Sequence, residues 1–144
     1  MGTLRSQQNV GRAMQIIKFT IYGTHEGPEK NPIGYHRTTQ KAKWAPEHQR
    51  YEKWKDHVRQ AFNRTGYRNN KNLNIKPIVI TKDKPARVDI DIEYKDEIRP
   101  DNDNVFKGIL DALFVNDKFV MAGSFESAIS AEKIGRVKVK VTLY

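Results

Sequence analysis

The sequence predicts an α+β domain with a mixed β-sheet and two principal helices, in the order β-α-β-β-α-β-β. Two segments carry apolar residues at steps of three and four, which indicates amphipathic helices. Segments rich in β-branched and aromatic residues lie before, between and after them, which favours strands. Because 144 residues suit one domain, we expect a single domain over residues 14–144, preceded by a polar, flexible extension over residues 1–13.

The first half of the chain is predicted to hold a strand, a long loop and a helix. Residues 15–22 have the β-branched and aromatic composition of a strand. Residues 23–45 lack periodicity, and a loop of this length in a small domain is more often functional than accidental. Pro46 suits the first position of a helix, and Gly66 suits the position after its end. The apolar face of that helix comprises Tyr51, Trp54, Val58, Ala61 and Phe62.

The second half is predicted to hold four strands and one helix. One of its strands alternates apolar residues with Asp89, Asp91 and Glu93, so its three acids share one face. A solvated sheet face explains these acids better than a metal site does. The predicted elements are strands over 75–80 and 87–94, a helix from Asp103 or Asn104 to about Leu113, and strands over 119–125 and 136–143.

The composition favours a polyanionic partner. The chain has 26 Lys and Arg against 17 Asp and Glu, a formal net charge of +9, and such a surface attracts nucleic acid. The absence of cysteine excludes disulfides, thiolate metal sites and cysteine nucleophiles, and makes a cytoplasmic location the simplest expectation. No apolar run approaches the ~20 residues of a membrane span, and no glycine-rich phosphate loop indicates a nucleotide cofactor.

The most informative stretch runs from Arg99 to Asp117, because it gathers carboxylates around a helix start in a cationic chain. Asp101 and Asp103 lie two apart on a predicted extended lead-in, where their side chains would point to the same side. Asp117 would join them if the chain after the helix turned back into the sheet. Carboxylates suit Mg²⁺, or Mn²⁺, and such an ion can activate water and neutralise a phosphate. The pattern indicates a metal-dependent nuclease.

Basic residues complete the predicted site. Lys107 follows Asp103 by four residues and hence shares its helical face, where an ammonium could orient the attacking water or stabilise developing phosphate charge. The residues predicted to contact DNA phosphates are Lys30, Arg37, Lys41 and Lys43 in the long loop, and Arg99 beside the acids.

Each acid also has a structural interpretation. Asp103 could cap the helix, Asp101 could favour the positive end of the helix dipole, and Asn116-Asp117 could form a turn. Each of these alone is the simpler explanation of its residue, but together, in a cationic chain, the residues favour a site. Two alternatives stay open: a non-catalytic basic nucleic-acid-binding module, and a metal nuclease acting on other branched DNA or RNA.

The motif Arg99-Pro-Asp-x-Asp-Asn-x-x-Lys-x-x-Leu-Asp-Ala-Leu113, followed by Asn116-Asp117, resembles the signature of RusA-type Holliday junction resolvases. The resemblance implies a Mg²⁺-dependent endodeoxyribonuclease that makes paired cuts in a four-way DNA junction as a homodimer. By position, it assigns metal binding to the aspartates and catalysis to the lysine. The chain departs from the family pattern at Asn116, where an acid often stands, and in the short connection before it. The residues carried over are Asp101, Asp103, Lys107 and Asp117.

Overall fold

The computed structural model describes residues 14–37 and 44–144 and confirms the predicted fold class, with a mixed four-stranded sheet and two helices. The extension predicted over residues 1–13, and the basic residues Lys41 and Lys43, lie outside the described residues. The elements are β1 (Gln15–Tyr22), α1 (Pro46–Asn63), β2 (Ala86–Tyr94), α2 (Asn102–Leu113), a 3-10 turn (Asp117–Phe119), β3 (Val120–Ile129) and β4 (Arg136–Leu143).

The strand order in the sheet is β1-β4-β2-β3. β4 pairs antiparallel with both β1 and β2, whereas β3 runs parallel to β2. Parallel neighbours need a crossover connection, and α2 supplies it. The register sets Ala86 opposite Val120 and Tyr94 opposite Ile129. Consequently α2 begins at the end of the sheet where β2 finishes, and β3 begins at the other end.

One face of the sheet is buried against the helices. The inward residues of β2 are buried as their alternation predicted, and they form a single core with Trp54 and Phe62 of α1 and Ile109 and Leu113 of α2. The periodic apolar faces of both helices therefore determine how they pack on the sheet. In the described part of the chain, no helix is both long enough and apolar enough to cross a membrane.

The acids of β2 lie on the opposite, outer face, where neighbouring cations pair with Asp89 and Glu93. Asp89 accepts hydrogen bonds from Arg87 and from the hydroxyl of Ser124 at 2.7 Å. Glu93 pairs with Arg136 of β4 at 2.6 Å. This agrees with the solvated sheet face that the sequence favoured.

Two segments differ from their predicted elements. Residues 75–80 contribute a single parallel bridge between Ile78 and Phe114 instead of a strand. Pro77 cannot donate to a strand ladder, and the amide of Ile78 bonds instead to the carbonyl at the end of α2. β3 continues four residues past its predicted end, from Glu126 to Ile129, and pairing with β2 holds these residues extended.

Candidate active site

The start of α2 presents two accessible carboxylates. The N-cap is Asp101, with extended backbone angles (φ −66°, ψ 145°), and its side chain makes no capping hydrogen bond. Asp103 lies inside the first turn, and not on the extended lead-in that the sequence predicted, and its side chain is 54% exposed. Neither carboxylate is therefore used as a cap, and both remain accessible from solvent.

Asn102 fixes the start of α2 against the sheet. Its side-chain oxygen accepts hydrogen bonds from the hydroxyl of Tyr94 at 2.9 Å and from Arg99 at 3.3 Å. Its side-chain nitrogen donates to Ser127 of β3 at 2.8 Å. These bonds join the first helical residue to the ends of β2 and β3, so the neighbouring carboxylates are held on a rigid frame. Sequence reasoning did not single out Asn102, because no periodic pattern in the sequence indicates that Tyr94 and Ser127 meet its side chain.

Lys107 lies beside Asp103, as the four-residue spacing predicted. The ammonium nitrogen is 4.0 Å from Oδ2 of Asp103, and the two side chains are 61% and 54% exposed. An exposed pair at that distance adds little stability. The ammonium is thus close to the carboxylate of Asp103 but remains accessible to a phosphate group.

Asp111, two turns further along α2, has a different environment. Its carboxylate accepts hydrogen bonds from the hydroxyl of Tyr51 at 2.7 Å, from Lys55 at 3.1 Å and from Lys76 at 3.2 Å. Burial alone would raise the pKa of Asp111, but the Tyr51 hydrogen bond and the two ammonium groups outweigh it and lower that pKa. Burial, reinforced by this hydrogen bond, raises the pKa of Tyr51, so Tyr51 acts as the donor. The network ties α2 to α1.

Asp117 lies away from the other two candidate ligands. It is exposed and begins the 3-10 turn that follows α2. The helix of 12 residues separates it from Asp101 by about 18 Å along its axis. Among residues 14–37 and 44–144, no group of three or more histidines, aspartates and glutamates could hold a metal ion. The start of α2 therefore supplies two accessible carboxylates of a type that Mg²⁺ accepts, and Asp117 lies at the opposite end of the sheet.

A basic groove lies next to the start of α2 and reaches Pro100, the residue before Asp101. It has a volume of about 470 Å³ and includes Lys30, Arg50, Lys95 and Arg99 in its lining. The predicted phosphate contacts Lys30 and Arg99 thus lie in one groove, and the guanidinium of Arg99 sits 4.7 Å above the ring of Tyr94. Such stacking fixes the direction of the guanidinium. A second groove, of about 370 Å³, connects Arg99 and Asp101 with the end of β3.

Residues 31–37 of the long loop pack against the first turn of α2. The amide of Tyr35 donates to the carbonyl of Asn104 at 2.8 Å. A side chain added at Gly34 would meet Pro100 and Asn104 at 3.0 and 3.2 Å, so glycine permits this close approach. Arg37, the third predicted phosphate contact in the described residues, follows this contact directly and is exposed.

A cationic α+β domain with accessible carboxylates beside a basic groove has the features of a nuclease. The comparison with known families agrees: the family described as endodeoxyribonuclease RusA matches residues 28–142. Since this match covers most of the chain, the protein belongs to the RusA family, and membership implies an endonuclease that resolves Holliday junctions. RusA nucleases are in general metal-dependent. No curated protein matches the chain.

Proposed function

We propose that this protein is a Mg²⁺-dependent, structure-selective endodeoxyribonuclease that resolves four-way DNA junctions by paired phosphodiester hydrolysis in the cytoplasm, with Mn²⁺ as an alternative ion. The observation that carries the proposal is the pair of accessible carboxylates at the start of α2, Asp101 and Asp103, with Lys107 beside Asp103 and a basic groove that reaches Pro100, the residue before Asp101. Family membership supplies the class of reaction.

The roles of the residues follow from their environments. Asp101 and Asp103 would bind the ion, which when bound would supply an activated water and neutralise charge on the phosphate. Lys107 would stabilise charge that develops on the scissile phosphate, since its only ion pair among the described residues is long and exposed. Lys30 and Arg99, with Arg37, would hold the DNA backbone and position it without reading its sequence.

The separation of Asp117 from the other aspartates supports a homodimer with shared sites. A metal centre with three aspartates cannot form within one copy while α2 keeps Asp117 about 18 Å away along the helix axis. We therefore propose that Asp117 of the partner subunit completes the site begun by Asp101 and Asp103. A two-fold dimer has two such sites, which suits paired cuts in a symmetric junction.

The activity is tested by cleavage of a labelled synthetic four-way junction with Mg²⁺, with Mn²⁺ and with a chelator. Linear duplex of the same sequence and the Asp103→Asn variant run in parallel. Asp91→Asn is the matched control, because it removes an exposed acid from the outer sheet face. We expect metal-dependent paired nicking of the junction alone, lost in Asp103→Asn and retained in Asp91→Asn.

Other results would support the alternatives. Tight junction binding without cleavage in either ion would support the non-catalytic basic module. Equal cleavage of flaps, RNA or unstructured DNA would keep the metal nuclease and reject selectivity for four-way junctions. Cleavage by Asp103→Asn at the wild-type rate would reject the assigned site.

The shared site is tested by mixing two inactive variants, Asp103→Asn and Asp117→Asn. In a mixed dimer with shared sites, one site carries both substitutions and the other carries neither. Random pairing then leaves about a quarter of all sites intact, so nicking returns when the variants are produced together. If all three ligands belonged to one subunit, each site in the mixed dimer would carry one substitution and the mixture would stay inactive.

A further inference from the structure

Ile98 is an exposed apolar side chain next to the candidate active site. It is 87% exposed and forms part of the wall of the basic groove, together with the cations Lys95 and Arg99. Asp101 follows it by three residues, which span at most roughly 10 Å of chain. Successive phosphates of one DNA strand are about 3.4 Å apart along the helix axis. The side chain of Ile98 therefore lies within a few nucleotides of a phosphate that reaches Asp101.

The backbone of Ile98 is fixed by hydrogen bonds, although its side chain faces solvent. Its amide donates to the carboxylate of Asp96 at 3.0 Å, and its carbonyl accepts a hydrogen bond from the side-chain nitrogen of Asn31 at 2.8 Å. The same nitrogen of Asn31 also donates to Asp96 at 3.0 Å. The side-chain oxygen of Asn31 accepts from the amide of Lys95. Asn31 therefore clamps the turn of residues 95–98 to the long loop.

The loop that carries this clamp is anchored to the sheet. The amide of Gly135, just before β4, donates to the carbonyl of Glu29 at 2.9 Å. A side chain added at Gly135 would meet the backbone of the loop at 2.1 Å, so glycine permits this close approach. Ile33, two residues after Asn31, is buried in the core. Ile98 thus stands on a fixed support, and its β-branched side chain is stiff about the first torsion angle.

The setting of Ile98 distinguishes it from an ordinary surface residue. Single exposed apolar side chains are common on proteins and need no explanation by themselves. Ile98 combines exposure with a fixed backbone, flanking cations and carboxylates that follow within a few residues. Tyr35 is also exposed at this end of the molecule, but its ring packs edge-on against Tyr51 at 5.6 Å. A rigid apolar side chain in a cationic groove suits contact with the faces of bases.

We propose that Ile98 is a wedge that enters the base stack at the branch point of the DNA and separates two bases near the cleaved phosphate. The inference deepens the proposed function and rests on it, because the DNA must lie along the basic groove. Apolar side chains, including isoleucine, insert between base steps in proteins that bend DNA. Lys95 and Arg99 would hold the flanking phosphates while Ile98 enters.

The wedge gives the protein a means to distinguish a branch from a linear duplex. Phosphate contacts are available on every duplex and therefore provide affinity without selectivity. Separating two stacked bases costs free energy, and the cost is smallest where stacking is already weakened. At a branch the strands pass from one helix to another, so the stack opens there more readily than inside a linear duplex. Ile98 would therefore add affinity for a junction and little for linear duplex.

The wedge is tested with aminopurine, a base whose fluorescence rises when it leaves the stack, placed at the branch of a synthetic four-way junction. The full-length protein is bound to this junction with Ca²⁺ in place of Mg²⁺. We expect fluorescence to rise with the wild type and with Ile98→Leu, and to stay at the level of free DNA with Ile98→Ala. Ile16→Ala is the matched control, because Ile16 is 47% exposed on β1 and outside the groove, and it should match the wild type.

Binding and cleavage provide a second readout. Ile98→Ala should lower junction affinity about tenfold and leave duplex affinity unchanged, because the wedge acts only where a base step opens. Junction cleavage by Ile98→Ala should fall with it. Ile98→Lys separates the wedge from charge, since an added cation should strengthen binding to junction and duplex alike without opening the stack. A rise in fluorescence with Ile98→Lys or Ile98→Ala equal to that of the wild type would overturn the proposal.

The remaining outcomes separate the wedge from the proposed activity. A wild type that cleaves junctions without raising the fluorescence overturns the wedge and leaves the activity intact. Fluorescence that rises with the wild type and is lost in Ile98→Ala, with no cleavage of any DNA in Mg²⁺ or Mn²⁺, supports the wedge and rejects the activity. A change in the mass of the protein on Ile98→Ala, measured by light scattering, assigns Ile98 to a contact between copies and overturns the wedge.

Discussion

Asp103 and Asp111 lie on the same side of α2, two turns apart, and differ in almost everything else. Asp103 is 54% exposed, and its ion pair with Lys107 is 4.0 Å long. Asp111 is 26% exposed and has three donors within 3.2 Å. The same residue type on one helix therefore serves two purposes, and the surroundings decide which. A carboxylate with all its partners in the fold stabilises the fold, whereas one without them is available for a ligand.

The difference follows from what covers each end of α2. Near its middle and end, α2 packs against α1, which brings Tyr51 and Lys55 to Asp111. The start of the helix projects toward the basic groove, and the bonds of Asn102 hold it in place without using the neighbouring carboxylates. Fixed geometry and accessible oxygens together are the requirements of a metal site.

The largest expected effect is the loss of junction cleavage on substitution of Asp103, at the start of α2. Asp103→Asn should lower the rate of junction cleavage by about 10²–10³-fold, the size of loss seen when one preorganised electrostatic group is removed. Asp111→Asn, assayed at low temperature where it remains folded, should retain cleavage within about tenfold. Single-turnover rates on the labelled junction measure both. If the two variants lost the same cleavage rate, the assignment of catalysis to Asp103 and of stability to Asp111 would be wrong.

The second effect concerns Lys107. Lys107→Gln should slow cleavage by about 10–10²-fold, because an ammonium aimed at developing phosphate charge is lost. Junction affinity should change little, since the groove cations remain. Comparing single-turnover rates with binding measured in Ca²⁺ separates the two quantities. A large loss of affinity with an unchanged rate would make Lys107 a binding residue.

The third effect concerns the stability that Asp111 contributes to the fold. Asp111→Asn should cost about 2 kcal/mol in the free energy of unfolding, because Lys55 stays largely buried with one carboxylate partner fewer. Asp103→Asn should stay within about 0.5 kcal/mol of the wild type. Urea unfolding followed by circular dichroism measures both values. Adding Lys55→Met to Asp111→Asn should recover part of the lost free energy of unfolding, because the buried ammonium is then removed. If nothing were recovered, the loss would come from the hydrogen bond between Tyr51 and Asp111.

The smallest effect is a pH dependence of the stability that Asp111 contributes. The pKa of Asp111 is lower in the folded protein than in the unfolded chain, so folded protein binds this proton less readily. Its stabilising contribution is complete above the ordinary carboxyl pKa of about 3.9 and is lost as pH falls through the lower folded value. The stability gap between wild type and Asp111→Asn should therefore narrow below about pH 4. A gap independent of pH would contradict this linkage.

Local spacing made part of the site predictable. The step of four residues between Asp103 and Lys107 sets both side chains on one face of α2 whatever the rest of the fold does. The alternation in β2 likewise separated its buried residues from its acids. The position of Asp117 did not follow from spacing, because it depends on β3 running parallel to β2. The sequence predicted that Asp117 would return to the other acids if the chain after the helix turned back into the sheet. The chain does turn back into the sheet, as β3, but β3 begins at the end opposite the start of α2.

The sequence by itself determined the α+β class, both helices, three strands close to their observed limits and the motif that identifies the family. These depend on periodicity and on neighbours within a few residues, which the chain carries locally. Only the tertiary structure decided that Asp111 meets Tyr51 and Lys55, that β3 begins at the end of the sheet away from Asp101, and that β3 forms an open edge. Each of these depends on which elements pack side by side. The contacts of Asp111 with Tyr51 and Lys55, for example, join residues 60 and 56 positions apart, and such packing leaves no periodic signal in either segment.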